Sequence, residues 1–127
     1  MGRRRKHIDL TKGEEEVMLR LWQLGSGCIR DIIELYPKPK PKYTTIATFL
    51  KLLEDKRCVA HTPLGKKFSF YPIVKKSHYA QIIADKMLNG YFDGSAANLI
   101  TLLAHNNKLS QSDKEEIIKI ITSKSDQ

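Results

Sequence analysis

The stretch YTTIATFLKLLEDKR, Tyr43 to Arg57, constrains this chain more than any other. Ile46, Phe49, Leu50 and Leu53 fall at i, i+3, i+4 and i+7, the spacing of one apolar stripe on an α-helix. Whatever the fold, this segment must lay that stripe against a core. Thr45, Thr48 and Lys51 fall off the stripe. They are short or cationic, they hydrogen-bond, and none carries bulk that would hold the helix away from a surface. Such a front fits a DNA major groove, where phosphate contacts fix position and base edges carry specificity. The same pattern also describes an amphipathic helix whose polar face is simply solvated, so the surrounding chain has to decide.

Charge decides first. The 127-residue chain carries a formal net charge of +8, and the excess is not evenly spread. Residues 1–76 hold 17 Lys and Arg against 8 Asp and Glu, a balance of +9, whereas residues 77–127 hold 5 against 6, a balance of −1. A field of that sign draws polyanions, nucleic acid before acidic membrane. The asymmetry predicts two modules with different tasks. Hydrophobic residues make up 41%, enough to build a core. No apolar run approaches the ~20 residues of a membrane span. The basic start MGRRRKH lacks the apolar stretch of a secretory signal, so residues 1–9 read as a flexible arm and the chain as cytoplasmic. Cys28 and Cys58 form no CxxC pair and read as core thiols in a reducing compartment.

Thr11 opens a capping box with Glu14, Leu10 stands where a hydrophobic staple would, and Glu14, Glu15 and Glu16 favour the positive end of a helix dipole. With Val17, Met18, Leu21 and Trp22 on an apolar face and Gly25 as the stop, the first helix runs roughly from Lys12 to Leu24. Ser26 is the expected cap of a second helix, lined by Cys28, Ile29, Ile32 and Ile33 and ended by Pro37. The linker PKPKPK cannot be helical. It is either a rigid solvated connector or a set of lysines offered to a DNA backbone, just before a third helix with Thr44 as its expected N-cap. Cys58–Thr62 and Lys67–Tyr71 read as two strands, the second with Phe68 and Phe70 on one face, joined by the turn Pro63-Leu64-Gly65-Lys66. Three helices and a hairpin predict a winged helix-turn-helix over residues 1–76, a mainly α fold with a small β-hairpin. The expected DNA-facing residues are Lys42, Tyr43, Thr44, Thr45, Thr48 and Lys51, with Lys66 and Lys67 on the wing reaching phosphates or the minor groove.

Residues 77–127 read as a helical dimerisation region. Ser77 can start a helix with Tyr79, Ile82, Ile83 and Met87 on one face, ending near Asn89-Gly90. Ser95 can cap a second, carrying Leu99, Ile100, Leu102 and Leu103. Ser110 begins the last, with Glu115 and Lys119 as an i,i+4 pair and Ile117, Ile118, Ile120 and Ile121 as its apolar content. Helices this short and this apolar cannot each bury a face in a segment of about 50 residues without a core of its own. Docking onto a twin chain solves this, with Tyr79, Ile82, Ile83, Met87, Leu99, Leu102, Leu103, Ile117 and Ile121 as the expected contacts. Folding back onto the first module is the alternative.

Enzymatic signatures are missing. His7, His61, His78 and His105 form no HExxH or other metal-ligand spacing, and there is no glycine-rich phosphate loop or nucleophile elbow. The expectation is a protein without catalytic residues, cofactor or metal.

The order LTKGEEEVMLRLW, YTTIATFLKLLEDKRCV, LGKKFSFYPIV, FDGSAANLI and KLS resembles the penicillinase-repressor (BlaI/MecI) family from about Leu10 to Ile121. Its most specific parts are Glu14, Val17, Met18 and Trp22 in E-x-x-V-M-x-x-x-W, and Thr44, Thr45, Ile46, Thr48, Leu50 and Leu53 in T-T-[IV]-x-T-x-L-x-x-L. The resemblance implies a homodimeric repressor of palindromic TACA/TGTA operators that control antibiotic resistance. It also implies a membrane sensor metalloprotease that relieves repression by cutting the C-terminal helices. Three departures matter. Leu52 stands where members commonly have Arg, and Arg57 where they have a Gly suited to a left-handed cap. The Asn-Phe bond cut in the best-known members is missing, which leaves Asn98-Leu99 and Leu102-Leu103 as the candidate cleavage bonds. The sequence thus reads as a DNA-binding repressor, with a winged-helix protein-interaction adaptor and a ligand-released repressor as alternatives.

Overall fold

A computed structural model describes the backbone of residues 8–124, so most of the expected arm lies outside the described residues. The elements run α1 (Lys12–Leu24), α2 (Ile29–Glu34), α3 (Tyr43–Asp55), β1 (Val59–Leu64), β2 (Lys67–Pro72), α4 (Lys76–Tyr91), α5 (Ala96–His105) and α6 (Gln111–Lys124). They fall into two compact units, divided between Ile82 and Ile83, inside α4. The first unit therefore extends past the expected boundary at residue 76.

The capping box of α1 forms as its spelling implies. The Glu14 amide donates to Thr11 Oγ1 (3.3 Å) and the Thr11 amide to Glu14 Oε1 (2.8 Å). Gly25 closes the helix at φ 83°, where a side chain would be strained. For α2 the expected cap is corrected: Cys28 rather than Ser26 holds the N-cap, with Asp31 accepting from the Cys28 amide at 3.0 Å and from its thiol at 3.3 Å. The chain must turn after Gly25 before it can re-enter a helix, which moves the helix start past Ser26. Helix α3 likewise starts at Tyr43 with Lys42 as N-cap, not Thr44, because the Lys42 carbonyl already accepts from the amides of Thr45 and Ile46. Its far end is a Schellman motif: the Cys58 amide donates to Leu53 O and the Arg57 amide to Glu54 O, both at 2.9 Å. Arg57 holds the left-handed position at φ 62°.

The hairpin is tighter than its sequence implies. Leu64 pairs with Lys67 and Pro63 with Phe68, so Pro63 and Leu64 belong to the strand and the turn is Gly65-Lys66 alone. Gly65 takes φ 63° at the first central position, where a two-residue turn of this hand wants glycine. The free edge of β2 is held by the α1–α2 loop, through Gly27 and Phe70 exchanging both backbone hydrogen bonds at 3.0 and 2.8 Å.

The core of the first unit comes from every element in it. Met18 and Leu21 of α1, Ile32 of α2, and Leu50 and Leu53 of α3 are fully covered. Gly13 lies against Phe49 of α3: a Cβ there would sit 2.3 Å from its ring, so a larger residue would force that ring to move. The start of α4 closes the unit. Tyr79 packs on Trp22 with ring centroids 5.8 Å apart and donates its hydroxyl to Glu15 Oε2 at 2.9 Å, while Trp22 Nε1 donates to Val74 O at 2.8 Å. Burial and the Glu15 carboxylate both push the Tyr79 hydroxyl well above its ordinary ionisation range.

In the second unit α5 and α6 are capped by Ser95 and Ser110, as their sequences imply. None of its described residues is buried. Leu102 is 45% exposed, Ile118 64% and Ile121 60%.

Candidate nucleic-acid interface

Every DNA-facing residue expected from sequence is exposed or half-buried at the surface: Lys42, Tyr43, Thr44, Thr45, Thr48 and Lys51 at α3, Lys66 in the turn and Lys67 at the start of β2. The division of α3 into a covered back and an open front follows from its 3.6-residue period, since burying Ile46, Leu50 and Leu53 leaves the intervening positions outside. Leu52 lies on the open side, 41% exposed. Thr48 Oγ1 donates to Thr44 O at 2.9 Å. Its hydroxyl proton is therefore engaged within the helix, and what Thr48 presents outward is a methyl group and an acceptor oxygen.

The turn lysines and α3 share one concave site. A cavity of about 190 Å³ is lined by Cys28, Arg30, Tyr43, Lys66, Lys67 and the wing phenylalanines. Arg30 was not singled out in the sequence. It stands on the polar side of α2, next to the buried Ile29, and adds a third cation to that pocket. The Asp31 carboxyl is held below its ordinary value, first by the Cys28 amide and then by the Cys28 thiol, with Lys67 also nearby. Burial pushes the Cys58 thiol above its ordinary range.

The proline-rich linker divides its lysines between two tasks. Lys40 Nζ folds back to donate to the carbonyls of Glu34 and Tyr36, both at 2.7 Å, and so satisfies the C-terminal end of α2. Its ammonium is thereby engaged within the chain. Lys38 and Lys42 remain exposed.

Two contacts fix α3 at its C-terminal end. Lys56, beyond its last turn, donates to Glu14 Oε1 at 2.6 Å and to Asp9 O at 2.8 Å. Glu14 is 2% exposed, so this ion pair ties the C-terminal end of α3 to the cap of α1. Burial raises the Glu14 carboxyl, but Lys56 and Thr11 together outweigh that and hold it below its ordinary value. Sequence reasoning assigned Glu14 to capping, which is correct, but gave no sign of Lys56. The second contact is His61 of β1 on Glu54 of α3, with Nδ1 and Oε2 2.5 Å apart.

Of the residues expected at a dimer contact, Tyr79 and Ile82 are corrected: at 6% and 9% exposure they belong to the first unit's own core. Ile83, Met87, Leu99, Leu102, Leu103, Ile117 and Ile121 remain partly or fully open. Among the described residues no group of three or more His, Cys, Asp or Glu is placed to hold a metal ion, and no helix is long and apolar enough to cross a membrane.

A helix-turn-helix with a polar front on its third helix and a basic hairpin beside it defines a winged-helix protein. The chain belongs to the penicillinase repressor family, whose model matches residues 10–123. It is 26% identical over 120 residues to the penicillinase repressor of Bacillus licheniformis, covering 92% of each chain. It is also 26% identical over 122 residues to the methicillin resistance regulatory protein MecI of Staphylococcus aureus (strain N315), covering 94% of this chain and 98% of that one. Among solved structures, the DNA-binding domain of the repressor BlaI aligns at 29% identity and a TM-score of 0.49, covering 56% of this chain and 88% of that one.

Proposed function

We propose that this chain is a transcriptional repressor that binds a palindromic operator as a homodimer in the cytoplasm. The observation that carries the reading is the open Thr45–Thr48–Lys51 front of α3, whose back is buried in the core, with Tyr43 at the start of the same helix lining a cationic concavity beside the wing lysines. In a dimer each protomer would place α3 in a major groove, with the two heads about one DNA turn, ~34–36 Å, or a multiple apart. Lys42, Arg30, Lys66 and Lys67 would take phosphates, and Thr44, Thr45 and Thr48 would meet base edges, Thr48 offering its methyl to a thymine. The open apolar faces of Met87, Leu99, Leu102, Leu103, Ile117 and Ile121 would be covered by the partner. Repression would follow from occupancy of the promoter.

Release would come from proteolysis by a membrane sensor metalloprotease, within Asn98 to Ala104. Both candidate bonds, Asn98-Leu99 and Leu102-Leu103, lie inside α5, so the helix must open locally before a protease reaches them. An intact chain that leaves its operator in induced cells would replace the protease by a ligand. The core of the proposal is tested by salt titration of operator binding. Each phosphate contact adds about −0.9 to the log–log slope, so a slope near zero would refute DNA binding. Thr45→Ala and Thr48→Ala should each fold normally and lose about 1–3 kcal/mol of discrimination between operator and random duplex. Full specificity in both would remove α3 as the reading element.

A further inference from the structure

The contact between His61 and Glu54 joins two elements that sequence gives no reason to connect. Glu54 lies on the flank of α3 that faces the wing, and His61 lies in β1, directly across from Phe70. The imidazole is held edge-on to Phe68 with centroids 4.7 Å apart and lies 5.4 Å from the Phe70 ring. An ordinary surface pair loses much of its Coulomb gain to the entropy of ordering two side chains. Here the aromatic neighbours already restrict the histidine, so less freedom remains to be lost. A neutral ring with its proton on Nδ1, or an imidazolium, can donate to the carboxylate.

The position of this pair has a mechanical consequence. A two-stranded hairpin is marginal in water unless it packs on something. The base of this one is anchored by Val59 and Phe70, 2% and 8% exposed, whereas the stretch from His61 through Phe68 is exposed throughout. That exposed stretch carries Lys66 and Lys67. The pair ties it to α3 between the buried base and the turn. The choice of an acid here also runs against charge. Glu54 sits with Lys51, Asp55 and His61 around one crevice beside the wing, in a unit whose balance is strongly positive, and an acid near phosphates repels them.

We propose that Glu54 and His61 form a latch that holds the wing against α3, which makes both positioning residues for DNA binding. The inference rests on the reading of this unit as a DNA-binding head. The latch keeps Lys66 and Lys67 at a fixed offset from Thr45 and Thr48, so that one duplex meets both. Without it the hairpin tip moves freely, and the lysines no longer act as preorganised phosphate ligands.

The experiment separates the latch from simple electrostatics, because the two predict opposite signs. The wild-type chain first selects an operator from a random-sequence duplex library, and binding is then titrated against salt. Glu54→Ala deletes a negative charge, so charge alone makes binding tighter. The latch makes it weaker, with a salt slope shallower by about 0.9 for each phosphate the wing lysines release, or roughly eightfold in affinity per phosphate at 0.1 M salt. His61→Ala behaves the same way, the double variant is no worse than either single one, and Lys67→Ala adds little in the Glu54→Ala background. Glu54→Gln, which keeps a hydrogen-bond acceptor toward His61, recovers most of the affinity. Circular dichroism melts confirm that each variant is folded at the assay temperature. Tighter or unchanged binding by folded Glu54→Ala, with an unchanged slope, overturns the latch and leaves the DNA-binding reading intact. A wild-type chain that selects no operator overturns that reading itself.

Discussion

The two units treat their apolar side chains in opposite ways. In the first, Met18, Leu21, Ile32, Leu50 and Leu53 are 0% exposed. In the second, Ile118 and Ile121, chemically equivalent residues on an equally regular helix, are 64% and 60% exposed. Helices form in both, and each unit has at least one with a serine or threonine cap: Thr11 on α1 in the first, Ser95 and Ser110 on α5 and α6 in the second. What differs is whether a third layer exists to cover the apolar face. The first unit is closed by the start of α4, whereas the second has helices without a core. A helix is therefore a local statement, and its burial is a statement about assembly.

The sharpest way to break this comparison is to cut the chain at the division. A chain ending at Ile82 keeps Tyr79 and Ile82 and should be folded and monomeric. A chain ending at Lys76 loses both, and with them the cover on Trp22, so it should be destabilised by about 3–5 kcal/mol. The full chain should sediment as a dimer at micromolar concentration. Because a dimer binds its second half-site intramolecularly, the Ile82-terminated chain should bind the full operator about 100- to 10,000-fold more weakly. A full chain that sediments as a monomer would mean that the open faces of α5 and α6 are not dimer contacts.

What could be read from sequence follows the same division between local and non-local physics. Helix α1 was legible from end to end, because its cap, its stripe and its stop are all written locally. Which face of α3 stays open was legible because burying one stripe determines which positions face out. The second helix was misplaced at its start because a cysteine is a rare N-cap, and only the Asp31 carboxylate three residues on makes it one. Lys40 was legible as a cation but not as a cap on α2, since its partners are carbonyls. The ties from Lys56 to Glu14 and from His61 to Glu54 were invisible. Each depends on two elements meeting in space, and no periodicity records that. The boundary at residue 76 came from counting charge, whereas the fold sets it by where Tyr79 and Ile82 are covered.

The tie at Glu14 sharpens the comparison, since it is a buried charge in the unit that has a core. Glu14→Gln should lower stability by about 1–2 kcal/mol, through the loss of charge-assisted bonds to Lys56 and the Thr11 amide. The cost stays below that of a fully buried pair because Lys56 is 37% exposed and can turn to water. The folded-state carboxyl lies below its ordinary value of 4.5. Its contribution is therefore present above 4.5 and is lost as pH falls below it, through the folded-state value. Urea midpoints measured at neutral and acid pH should converge for Glu14→Gln and wild type as the solution is acidified. A gap that persists in acid would assign the loss to packing instead of charge.

The smallest effect compares one feature that both units share. Each has a helix that ends in a Schellman motif with a non-glycine residue in the left-handed region: Arg57 at φ 62° after α3, and Asn107 at φ 57° after α5. The hydrogen bonds match, with Cys58 donating to Leu53 O and Lys108 to Leu103 O, both at 2.9 Å. The side chains do not. Asn visits this region readily because its short amide bonds to the local backbone, whereas an arginine Cβ meets the full steric penalty. Arg57→Gly removes that strain but adds freedom to the unfolded chain, for a net stabilisation of about 1 kcal/mol. Asn107→Gly should gain only a few tenths, since there is less strain to relieve. Urea unfolding at fixed protein concentration reads both, as a shift of midpoint at constant slope. A gain at Asn107 as large as that at Arg57 would mean that backbone strain is not what separates them.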